Sequence, residues 1–396
     1  MPQRSIKAAS PPWEIVALEK FSTPQNTQAS QWRRSWRAAA TSLVGKRAAE
    51  QQAKDEDELR LLPEVKLAHL VPPIDWSSAA ALLSQTLFQH KLDNEPVVFF
   101  ITPPHGGHAP IVSHWAEQQG INEIAPPTYQ ELTGGSLEWV ERCVPLKRWA
   151  VPALERHLLR HSYGLQGVRA LLERAFSGRL GQGVIGCDSW TYAYLQHVVG
   201  VEGAPVFTLQ ALGGEQLAHY FADIANNGKD DICVYSTRTG NPVLGHSEED
   251  NTAHKASAHK ELQRLAAHCR GHMGIAWHYW RARLRGAAAA KGDDASQDTS
   301  QELWLVDALA DAELSADTGD VAMLVLHTLL LHGGLEDQVL GDVLPFSHHE
   351  ALNARLALAR QGILARKEDG RWQVAPLSYA SVRQLLETRN YLVDPL

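Results

Sequence analysis

The residues with the clearest chemical potential form one octet, Thr102-Pro103-Pro104-His105-Gly106-Gly107-His108-Ala109. Its prolines and glycines are turn chemistry. It lies between an apolar run, VVFFIT, and a segment, IVSHWAEQQG, that reads as a helix closed by Gly120. A glycine-rich turn feeding a helix presents backbone N–H groups and the positive end of the helix dipole to an anion. A second apolar run, GVIGCDSW, ends in Asp188. A carboxylate there suits either a hydrated divalent cation or the N-cap of the helix that starts near Thr191. A third run, APVFTLQAL, carries Gln210 at its end, and STRTGNP carries Arg238, which the same cleft could use.

The octet resembles the phosphate-binding loop GxxxxGK[ST] in its GPPGSGKT form. In that loop backbone N–H groups wrap the phosphates, the lysine reaches the β and γ phosphates, and the hydroxyl residue holds Mg²⁺. Pro103, Pro104 and Gly107 match, whereas Thr102 replaces the first glycine, His108 the lysine and Ala109 the hydroxyl residue. A histidine side chain titrates near ~6.5 in general and is shorter than lysine. Alanine supplies no metal ligand. Losing both groups costs phosphoryl transfer more than binding, because transfer depends on positioning and charge stabilisation. The plain alternative is a Pro/Gly turn between a strand and a helix.

The elements that must position these residues alternate. Strands at VVFFIT, GVIGCDSW, APVFTLQAL and DICVYST are separated by helices, which argues for a parallel sheet covered on both faces. From Asp320, three helices precede a hairpin formed by ILARK and RWQVA around EDG, and a last helix follows; three helices and a two-stranded wing are the order of a winged-helix domain. Together these features resemble the P-loop ATPases of the AAA+/STAND group, in a layout similar to archaeal replication initiators, from about Pro96 to Leu396. The resemblance implies an α/β fold, a P-loop NTPase-like parallel sheet with flanking helices, preceded by a helical arm and followed by the winged helix. It implies ATP and Mg²⁺ at Thr102, Pro104, His105, Gly106, Gly107, His108, Ala109 and Asp188, with Gln210 as a polar sensor and Arg238 as a cleft arginine. Ser189 stands where the family places a catalytic glutamate, and a hydroxyl cannot act as a carboxylate base. The eroded positions point to a degenerate ATPase-like chain acting as a regulatory or scaffolding partner of another protein. A slow ATPase and a DNA-binding regulator are the alternatives.

The expected segments are 1–66 as a mobile N-terminus and helical arm, 67–285 as the ATPase-like domain, 286–319 as a linker and 320–396 as the winged helix. In the arm, Trp32 and Trp36 recur at helical spacing beside Arg33, Arg34 and Arg37. That patch could dock on a partner or an anionic membrane surface, or pack on its own domain with snorkelling arginines. In the winged helix, His348, His349, Asn353 and Arg355 could face a DNA groove, with Arg366, Lys367 and Arg371 on the wing. Yet seven basic residues face nine acidic ones from Asp320 onward, and Glu350 sits in the same helix. Protein contact is the favoured reading there.

Composition excludes several classes. The chain has 396 residues and a net charge of −8, with 44% hydrophobic residues, which fits a folded chain of two or three domains rather than a disordered one. The acidic balance argues against a general nucleic-acid coat. No run reaches the roughly 18 apolar residues that a spanning helix needs, and the N-terminus lacks the apolar core of a signal peptide. Four widely spaced cysteines without CxxC suit a reducing, cytoplasmic compartment. His268 and His272, at i, i+4 on one expected helix beside Cys269, lack the second ligand pair of a zinc site, so no metal centre is expected. Cys187, in an apolar strand, reads as an inert thiol.

Overall fold

The computed structural model describes residues 12–24, 59–90, 95–143, 147–226, 232–244, 252–287, 301–306, 314 and 318–396. Trp32, Arg33, Arg34, Trp36 and Arg37 lie outside the described residues. In chain order the elements are β1 (Ile15–Ala17), β2 (Leu59–Leu61), α1 (Glu64–Leu70), α2 (Ser77–Gln89), β3 (Val97–Thr102), α3 (His108–Gln119), β4 (Asn122–Glu123), α4 (Tyr129–Gly134), α5 (Glu138–Glu141), β5 (Arg148–Val151), α6 (Gln166–Phe176), β6 (Gln182–Asp188), α7 (Ser189–Val198) and β7 (Val206–Leu209). Then come α8 (Gly214–Asn226), β8 (Ile232–Ser236), β9 (Pro242–Leu244), α9 (Thr252–His268), α10 (Met273–Arg283), β10 (Leu284–Ala287) and β11 (Gln301–Leu305). The C-terminal stretch adds α11 (Asp320–Leu331), α12 (Asp337–Val343), α13 (His348–Arg360), β12 (Leu364–Arg366), β13 (Trp372–Val374) and α14 (Tyr379–Thr388).

The chain divides into two compact units, both assembled from separated segments. The larger comprises Trp13–Phe21, Asp75–Gln210 and Asp311–Leu396, and the smaller holds the remaining residues up to Ala310. In the larger unit six strands run in the order β1-β7-β3-β6-β5-β4. Every pair is parallel except β1 with β7. All six residues of β3 are buried, as a strand covered on both faces requires. Val97, Phe99 and Ile101 join the main core with Leu171 of α6 and Tyr192 and Leu195 of α7. Strand alternation turns Val98, Phe100 and Thr102 to the opposite face, which α2 and α3 cover. The connection from β3 leads through α3 to the far edge at β4, whereas β7 lies on the other side of β3. Such a switch leaves a crevice at the carboxyl ends of the strands.

The C-terminal stretch belongs to this same unit and is not set apart as the boundary at residue 320 anticipates. Leu396 is fully buried in the main core. The Thr191 hydroxyl donates to the Leu331 carbonyl at 2.6 Å. Asp394 accepts from Ser189 Oγ at 2.6 Å and from Arg383 Nε at 2.8 Å. Within the stretch, α11, α12 and α13 precede the antiparallel hairpin β12–β13, and a bridge ties Leu335 to Trp372. Ser347 caps α13 reciprocally with Glu350, so that the glutamate serves the helix start.

The smaller unit holds a mixed five-stranded sheet in the order β2-β10-β11-β8-β9, with β11 and β8 parallel. Three expectations change here. DICVYST forms β8 in this second sheet instead of extending the first. The stretch read as a linker supplies β11. The end of the expected N-terminal helix is strand β2, paired with β10. In the larger unit, Ile15–Ala17, read as mobile, is an antiparallel edge strand, and a 3₁₀ turn at Leu154–Arg156 follows β5 before α6 begins at Gln166.

Candidate functional site

The loop from Thr102 to His108 crosses the carboxyl ends of β3 and β6, where Thr102 and Asp188 are direct register partners. His105 and Gly107 both adopt positive φ, 65° and 85°. Glycine is needed at position 107 on two counts, because the φ is left-handed and a Cβ would lie 2.5 Å from the Trp76 ring. At Gly106 a Cβ would lie 2.7 Å from both the Pro103 carbonyl oxygen and Thr102 Oγ1. The loop's own packing therefore demands both glycines, whether or not a ligand binds.

His108 is the first residue of α3 and is buried, 8% exposed. Its Nδ1 lies 3.0 Å from Thr102 Oγ1, and its Nε2 lies 2.9 Å from Glu155 Oε1. Glu155 also accepts the Asp188 backbone N–H at 3.2 Å through its other oxygen. Burial alone pushes the Glu155 carboxyl up. The charge and hydrogen bond of the His108 ring and the Asp188 N–H outweigh it and bring the group down to about 2. Asp188 moves the other way, raised well above the ordinary carboxylate range by burial and then by the Glu155 charge. Its Oδ1 accepts the Trp190 N–H at 3.0 Å, so it caps α7. Burial likewise pushes the Cys187 thiol up, in keeping with an inert side chain.

Glu155 is the residue that sequence reasoning missed. It lies 47 positions from His108, in the turn after the four-residue strand β5, which carries no periodic signal. The only available cue was a carboxylate among apolar neighbours in PALERHLL.

Hydroxyl, imidazole and carboxylate follow one another as in a nucleophile activated through a base. Thr102, however, is 1% exposed, and its Oγ1 also accepts the His108 backbone N–H at 3.2 Å. No electrophile can reach it, so the arrangement is a buried clasp. The hairpin closes over it: His105 Nε2 lies 3.2 Å from the Val374 carbonyl oxygen, and Lys367 Nζ donates to Gly333 at 2.9 Å. Ala109 follows His108 in the first turn of α3 and offers no polar side chain, and Pro104 sits in the turn before His105.

The other expected site residues are placed as follows. Gln210 lies just past β7, its N–H donating to the Glu14 carbonyl at 2.8 Å. Arg238 belongs to the smaller unit, where it pairs with buried Glu261 at 2.9 Å. On α13, His348, His349 and Asn353 are all exposed, and His348 also lies against Gly341. Arg355 is buried, 2.8 Å from Asp337 and 4.5 Å above the Trp372 ring. On the hairpin, Arg366 bonds the Gly370 carbonyl and Arg371 binds Asp369 at 2.7 Å. His268 ends α9 and His272 precedes α10, separated by a turn with positive φ at Arg270 and Gly271, not on one helix as the spacing suggests. Among the described residues no group of three or more His, Cys, Asp or Glu could hold a metal ion. None of their helices is long and apolar enough to cross a membrane.

No family model matches the chain, and no curated protein matches it. A chain in the solved structure of Drosophila ORC bound to DNA is similar over 90% of this chain and 99% of that one, at 12% identity and a TM-score of 0.34. The class that the coordinates define is an α/β protein with mixed sheets.

Proposed function

We propose that this chain is a degenerate P-loop ATPase-like protein with a C-terminal winged helix, in which the nucleotide loop has become a structural clasp and function resides in contacts with another protein. Support for the ancestry comes from the strand, loop and helix at Val97–Gln119 and from the register of Thr102 with Asp188. The helix, bridge, helix, helix and hairpin order after Asp320 supports the winged helix. The observation that carries the loss of nucleotide chemistry is the pairing of His108 with buried Glu155 at 2.9 Å. The side chain in the lysine position answers an internal carboxylate, and that carboxylate repels phosphate. Arg355, Lys367 and Arg371 are engaged inside the fold, which favours protein over DNA as the partner. The exposed side chains His349, Asn353 and Leu356 on α13 supply such a contact face.

The test is to titrate Mg-ATP and ADP while following thermal stability and phosphate release. The expected outcome is no saturable shift and no turnover. A saturable shift with turnover, abolished by Asp188→Ala, overturns the proposal.

A further inference from the structure

At the amino ends of the strands, opposite the loop, the larger unit carries a half-open cavity of about 180 Å³. Its floor is two cross-strand pairs, Val98 with Val184 and Arg148 with Gln182. One wall is the end of α2, where Ser84, Leu87 and Phe88 share a face at i, i+3 and i+4. The other is the end of α3, where Trp115 and Gln119 stand one turn apart. A long contact of 3.4 Å between Gln119 Nε2 and Ser84 Oγ spans the two helices.

We infer that this cavity is a binding site for a small neutral molecule built on one aromatic ring with a single hydrogen-bonding group. An apolar cavity of about 150 Å³ holds a benzene ring, so the size matches. Leu87, Val98, Trp115 and Val184 supply apolar walls, and Gln119, Gln182 and Ser84 supply the few polar partners that fix orientation in such sites. Glu95 and Arg148 in the lining bring one charge of each sign, so a charged ring loses its hydration with no net field to replace it. Phe88 is 77% exposed beside the opening, an apolar surface that an occupant would partly cover. The site is independent of how the loop is read.

Saturation-transfer NMR on the full chain tests it, with phenol and indole as neutral polar rings, toluene as the apolar ring, and benzoate and benzylammonium as charged ones. Saturable transfer to phenol and indole is expected, with binding of the charged rings weaker by about tenfold or more. Ser84→Phe, which fills the cavity from the α2 side, should abolish it at unchanged melting temperature. Should that variant fold poorly, Gln119→Leu should remove the preference for phenol over toluene. Absence of saturable binding of either neutral polar ring, equal binding of the charged rings, or an unchanged preference in Gln119→Leu overturns the inference.

Discussion

Replacing His108 by alanine leaves Glu155 buried without its side-chain hydrogen-bond partner, while the Asp188 N–H at 3.2 Å remains. Glu155 is 7% exposed, so water cannot take over the role of the lost ring. Removing the side-chain partner of a buried carboxylate leaves its charge uncompensated and costs about 3–5 kcal/mol. In a unit of this size each kcal/mol lowers the melting temperature by about 2–4 °C, which predicts a fall of about 6–20 °C by calorimetry at neutral pH. Glu155→Gln keeps an acceptor oxygen for only one of the two donors, because His108 meets Oε1 and the Asp188 N–H meets Oε2, but it leaves no buried charge and should lose less, about 1–3 kcal/mol. The pH dependence of that second variant is an internal check. The Glu155 carboxyl is depressed to about 2 in the folded chain, against about 4.3 for a free glutamate. Its stabilisation is therefore full above the unfolded value and is lost as pH falls through the folded one. The gap between wild type and Glu155→Gln should stay constant from pH 7 to about 5 and close between about 4 and 2. A His108→Ala melting temperature within about 1 °C of wild type, or a gap insensitive to acid, refutes the clasp.

Restoring the loop with His108→Lys and Ala109→Thr should create saturable stabilisation by Mg-ATP, read as a melting shift; an unchanged melt counts against phosphate-loop ancestry. Arg355→Ala should destabilise by about 1–3 kcal/mol through its lost Trp372 stacking and Asp337 pairing, seen in urea denaturation. In gel shifts, DNA binding that persists at about 0.2 M salt and weakens in Arg371→Ala would reverse the choice of a protein partner. His327 and His332 are pushed down to about 4, chiefly by burial. Because the unfolded chain takes up protons first, stability should be flat above about pH 6.5 and fall toward pH 4, by at most about 1.4 kcal/mol per pH unit per group. A melting temperature that rises over that interval contradicts the assignment.

What could be read from the sequence followed from periodicity. VVFFIT and GVIGCD are continuous apolar runs of strand length, and the structure makes them adjacent buried strands. The C-terminal helices were legible because Gly333 and Gly334, and Ser347 with Glu350, punctuate them. The short strands were not: Ile15–Ala17, Leu59–Leu61 and Arg148–Val151 are three or four residues long, too few for a period-two pattern. They are fixed by strands far away in sequence, as β2 is by β10. The same limit governs the site. Thr102, Gly107 and Asp188 announce themselves by local spacing, whereas the partner that decides what His108 does comes from another strand's turn.

That partner also alters what the loop's glycines mean. In a phosphate cradle they let the backbone approach a ligand. Here a Cβ at 106 or 107 would strike Thr102, Pro103 or Trp76, so both glycines are demanded by the chain's own contacts. A loop can therefore keep a glycine for its own packing while the chemistry is absent: His108 turns to Glu155, and Ala109 carries no polar group. Only the group at the lysine position, and what it faces, reports retained chemistry. In this chain it faces a buried carboxylate.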